Sequence, residues 1–66
     1  MTFQVTITKP DGSKMSNGSF SLRIVKQFAR KYAKPKDTIT VEEIMGYNSD
    51  GYYETVILEE YEKKAT

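Results

Sequence analysis

At 66 residues, with a net charge of +1 and neither cysteine nor histidine, the chain has material for one small domain and too little for a deep pocket. A chain of this length buries only roughly 60% of the surface it exposes when unfolded. Without those two residue types disulfides and the usual zinc, haem and iron-sulfur ligand sets are excluded, so packing alone holds the fold.

No window approaches the ~18 apolar residues of a membrane span, and the opening MTFQVTITKPDG has neither a basic n-region nor a continuous apolar stretch. The expectation is a soluble, cytoplasmic protein with no membrane partner. The charge is unevenly spread: residues 1–36 hold eight Lys or Arg and one acid, and residues 37–66 hold two Lys and eight acids. A half carrying +7 therefore precedes a half carrying −6. The acidic half would be repelled by any duplex that attracts the basic half, which argues against a generic polyanion binder.

Thr2 to Thr8 alternates strictly, with Phe3, Val5 and Ile7 on one side, and reads as a half-buried strand. Lys9-Pro10-Asp11-Gly12 supplies a preset φ, a side-chain cap and a positive φ, so it reverses the chain into a hairpin. The returning strand, Ser13 to Ser19, is weak because it contains Asn17 and Gly18. Ser21 to Lys36 is the one long stretch with helical periodicity, and it holds no acid. At about 100° per residue, Leu22, Ile24, Val25, Phe28, Ala29, Tyr32 and Ala33 fill one half of the wheel, and Arg23, Lys26, Gln27, Arg30, Lys31 and Lys34 the other. Ser21 is the expected cap, Phe20 the expected staple onto Val25, and Pro35 the stop.

Thr38 to Val41 alternates again, and the phase then slips at Glu42-Glu43, which predicts a bulge that turns Ile44 inward. Asn48-Ser49-Asp50-Gly51 is a strong turn signal, after which Tyr52 to Tyr61 returns as a strand with Leu58 opposite Val41. Residues 62–66 read as a solvated, flexible tail of a single domain spanning 1–66. The predicted core is Phe3, Val5, Ile7, Leu22, Val25, Phe28, Tyr32, Ile39, Val41, Val56 and Leu58.

The order hairpin, helix, hairpin predicts a two-layer α+β fold, ββαββ, with one helix across a four-stranded sheet. In element order and spacing it resembles the β-grasp arrangement of the immunoglobulin-binding domain of bacterial protein G, which implies first and last strands paired in parallel at the sheet centre. No binding motif is shared, so the resemblance implies no function.

Catalytic and metal chemistries find little footing. Residues 46–57 match some spacings of a calcium loop, but Gly46 and Ile57 occupy the first and last ligand positions. The glycines between Gly12 and Ser19 lack the spacing of a phosphate loop, and Asn17-Gly18-Ser19 reads as a bend rather than a glycosylation site. Glu42 with Glu43, and Glu59 with Glu60, are adjacent on strands and point to opposite faces. No catalytic residue, metal ligand or cofactor is assigned.

Two binding surfaces stand out. Arg23, Lys26, Arg30 and Lys34, with Lys31 beside them, form a basic helix stripe suited to carboxylates or phosphates; a face selected only for helix stability would mix in acids at i to i+4. Tyr47, Tyr52 and Tyr53 cluster at the second hairpin's tip, a secondary candidate because tyrosine suits interfaces. The expected function is a non-enzymatic binding module whose basic helix docks on an acidic protein surface. Nucleic acid through the same helix is the alternative. A third reading is a self-associating structural protein, monomeric or weakly dimeric in a salt-sensitive way.

Overall fold

The computed structural model describes residues 2–64. Four strands and one helix follow in the order β1 (Thr2–Thr8), β2 (Lys14–Ser19), α1 (Leu22–Tyr32), β3 (Thr38–Tyr47) and β4 (Tyr53–Glu62). The fold is α+β, ββαββ, as its hydrophobic periods require. All pairings are antiparallel and the sheet order is β2-β1-β3-β4. β2 and β3 both run against β1 and hence parallel to each other, so α1 carries the chain over β1.

The likeness to a β-grasp therefore stops at element order, because β1 pairs with β3 and β4 lies at the edge. The side-chain pattern gives the reason. Val5 faces Val41 and Ile7 faces Ile39 on the helix side, while Thr6 meets Thr40 and Thr8 meets Thr38 on the other. A centre covered by a helix needs that match, and β4 would set Glu59 on the covered face.

The core is Val5, Ile7, Val25, Ala29, Ala33, Ile39 and Val41, with Phe3, Leu22 and Phe28 packed at its margin. It is smaller than the sequence predicts. Tyr32, Val56 and Leu58 are exposed, and so is every residue of β4. The helix sits on its small residues, Ala29 and Ala33, which allow close approach to the sheet; the roll this requires brings Ile24 out and Lys26 half under. Phe28 and Tyr32 instead pack on each other, ring centroids 4.7 Å apart.

Several local expectations are corrected. Ser21 occupies the N-cap in an extended conformation, but its hydroxyl makes no capping bond. Phe20 is 83% exposed and staples nothing. The helix ends with Ala33 as C-cap, ahead of Pro35, and Ala33 N–H donates to Ala29 O at 2.9 Å. Ile44 does not turn toward the helix: β3 stays in register with β1 through Thr2↔Ile44, which sends Ile44 to the open face. The irregularities fall in the β3–β4 ladder, between Val41 and Glu42 and between Ile44 and Gly46. Leu58 and Met45 are the extra residues, and Val41 lies opposite Glu59. Such bulges add twist and turn an edge away from pairing. In the stretch read as a tail, Glu62 pairs with Thr38 and Lys63 N–H donates to Asp37 O at 2.8 Å; Ala65 and Thr66 lie outside the described residues.

Both hairpin turns use the expected chemistry. Asp11 Oδ1 accepts from Ser13 N–H and Oγ–H, which holds its carboxyl below the usual range. Asn48 Oδ1 accepts from the N–H groups of Asp50 and Tyr52, and Gly51 takes the positive φ, 85°, that the reversal demands.

One buried charge ties the elements together. Asp37, 2% exposed, accepts from Lys9 Nζ at the end of β1 and from Lys34 N–H at 2.8 Å after the helix. Its own N–H donates to Lys34 O at 3.0 Å, closing a turn in which Lys36 takes φ 77°. A non-glycine there is strained, and the bonds from Lys36 N–H to Lys63 O and from Lys63 N–H to Asp37 O hold it.

Two outcomes are expected. Ile39→Ala costs about 2–5 kcal/mol in denaturant unfolding, whereas Val56→Ala costs less than about 1 kcal/mol at dilute protein concentration. The lysine bond, first, and the backbone bond lower the Asp37 pKa below the ordinary carboxylate value. Its contribution to stability is therefore complete above the unfolded value near pH 4 and is lost as the pH falls through the depressed folded value. Asp37→Asn, which keeps an acceptor but removes the charge, should lower Tm at neutral pH and flatten the acid limb of a Tm-against-pH curve.

Candidate functional site

The stripe is built by helical spacing and the roll of α1. Positions 23, 26, 27 and 30 stack along the flank that faces β4, and Lys26 Nζ reaches across to Glu59 Oε1 at 3.0 Å. Leu22, Arg23, Lys26, Gln27 and Arg30 line an open concavity of about 370 Å³. Among the described residues Arg23 and Arg30 make no ion pair, so two guanidinium forks stand free beside one paired ammonium. A guanidinium offers a planar fork of donors that matches a carboxylate in bidentate fashion.

The other two predicted members do not join them. Lys31 lies a further 100° round the helix, its Nζ 5.4 Å from the centroid of the Tyr32 ring. Lys34 lies beyond the C-cap, with its backbone committed to Asp37. The gathered cations are therefore Arg23, Lys26 and Arg30.

Beside this flank the helix-side face of β4 is uncovered, because no part of the α1 backbone approaches β4. By the alternation of the ladder that face carries Glu54, Val56, Leu58, Glu59 and Tyr61. Leu58 is 41% exposed. The sequence pattern predicts Val56 and Leu58 in the core, and both lie on this open face instead. By simple alternation Glu59 points away from Val56 and Leu58, and only the bulge at Leu58 brings it to their face, so no signal in the sequence marks this surface.

The tyrosine set divides. Tyr47 and Tyr53 are cross-strand partners whose rings stack at 4.5 Å, with hydroxyls 2.9 Å apart. Tyr52 belongs to the turn, where its backbone carbonyl accepts from Asn48 N–H. The stacked pair lies on the face of the sheet away from the helix, so tyrosines and cations do not converge. The adjacent carboxylates likewise diverge: Glu43 pairs with Phe3 on the helix side, Glu42 with Gln4 on the other. No helix is long and apolar enough to cross a membrane among the described residues.

Compared with models of protein families, with curated proteins and with solved structures, the chain matches none.

The Tyr47 hydroxyl is held above its ordinary pKa, first by the hydrogen bond with Tyr53 and then by that ring's charge when ionised. Tyr53→Phe removes both, and an ultraviolet tyrosinate titration should show the Tyr47 value falling to the ordinary range near about 10.

Proposed function

We propose that this chain is a small non-enzymatic binding module whose basic helix flank docks on an acidic protein surface. The observation that carries the reading is the row Arg23, Lys26 and Arg30 along one open concavity, with only Lys26 paired to an acid among the described residues. Free cations on a half-apolar wall suit a partner that presents carboxylates: such charges mainly steer association and fix register. The acidic strand next to the flank favours a protein over a nucleic acid, since a duplex approaching Arg23 and Arg30 would also meet Glu59 and its neighbours. We also infer a cytoplasmic setting, supported by a fold that owes nothing to disulfides.

Capture from host lysate on immobilised protein tests the reading. Nuclease treatment should leave the captured partner in place, and Arg23→Glu with Arg30→Glu should abolish capture with a circular dichroism spectrum unchanged, because both side chains are exposed. Loss of the captured material on nuclease treatment would transfer the flank to nucleic acid. Capture indifferent to charge reversal would overturn the docking role.

A further inference from the structure

The second hairpin is more exposed than a free-standing monomer of this size requires. Pairing of β3 with β1 stops at Ile44, so the stretch from Met45 to Glu54 projects beyond the sheet as a two-stranded arm. Such a ribbon is marginal alone. The radius of gyration is 12.3 Å, against about 11 Å for a compact chain of this length. The accessible surface is 4920 Å², against about 4,300 Å² for a compact monomer of 7.6 kDa.

The patch is also self-complementary. Along α1 runs a basic row, Arg23, Lys26 and Arg30, and on β4 beside it run Glu54 and Glu59 with Val56, Leu58 and Tyr61 exposed among them. A two-fold axis lying in the plane of this patch, along the seam between α1 and β4, lays the basic row of one molecule on the acidic strand of the other, twice, and buries both apolar stripes. Such an isologous contact closes at two copies. Pairing β4 edge to edge would instead oppose its own glutamates across a bulged strand, and joining β4 to β2 of the next copy would leave an open filament.

Resting on the reading of the basic flank given above, we propose that the acidic surface it docks on is β4 of a second copy of this chain, forming a two-fold dimer. In it Arg23 and Arg30 of each molecule reach Glu54 and Glu59 of the partner, and Val56, Leu58 and Tyr61 of each are covered by the partner's helix flank.

The test is sedimentation equilibrium of the purified protein from about 1 µM to about 1 mM, with Kd values resolved across that range. The wild-type chain should reach twice its 7.6 kDa mass and dissociate as salt is raised. Arg23→Glu with Arg30→Glu, and separately Glu54→Arg with Glu59→Arg, should each weaken self-association at least tenfold. An equimolar mixture of the two should restore a dimer, because opposite charges then meet at both contacts. Leu58→Ser, which alters the apolar stripe alone, should also give a monomer, so the proposal does not depend on the folding of either reversed variant. A wild-type chain monomeric at every concentration overturns the dimer, as does a dimer that neither charge set weakens or a mixture that stays monomeric. If the wild type is monomeric while charge reversal still abolishes lysate capture, the dimer falls and the binding-module reading stands.

Discussion

One helix has to cover four strands, and it is too narrow. Neighbouring strands lie about 4.8 Å apart, so the outer strands of this sheet are separated by about 14 Å before side chains are added, whereas a helix with its side chains is about 10 Å across. The eleven residues of α1 settle over β2, β1 and the near side of β3, and β4 is left bare. The small core, the exposed apolar residues of the second hairpin and the open concavity beside the helix all follow from that mismatch of widths. The position of the helix is decided by Ala29 and Ala33, whose short side chains bring it closest to the sheet.

A helix so placed has a weak start. Its cap hydroxyl is idle, its first turn holds no acid, and Arg23 opposes the dipole. The C-terminal end compensates. Arg30 and Lys31 suit the dipole there, and Asp37 gathers the end of β1, the exit from the helix and the strand end at Lys63 into one cluster of hydrogen bonds. A buried carboxylate is tolerated because Lys9 and Lys34 N–H satisfy it. The strained backbone at Lys36 persists because the same cluster over-determines it.

The basic flank and the acidic strand share one side of the molecule, so the +7 and −6 halves of the sequence become adjacent surfaces rather than distant poles. Among the described residues, Lys26 and Glu59 are the one ion pair between this flank and β4. Arg23 and Arg30 line the helix flank, and Glu54 lies along β4 among its exposed apolar residues, an arrangement in which charge sets orientation and apolar area supplies affinity.

Local patterns determined the elements: the alternation at Phe3, Val5 and Ile7, the periodic run from Leu22 to Tyr32, and the turns at Asp11-Gly12 and Asp50-Gly51 lie where the structure has them, because hydrogen-bonding period and turn chemistry are properties of neighbouring residues. The charge asymmetry and the grouping of Arg23, Lys26 and Arg30 were legible for the same reason. Only the tertiary structure decided that β3 rather than β4 joins β1, that bulges put Glu59 opposite Val41, and that Val56, Leu58 and Tyr32 remain outside the core. Those outcomes depend on strand register and on how far one helix can reach across a sheet, and neither quantity is carried by any single segment of the chain.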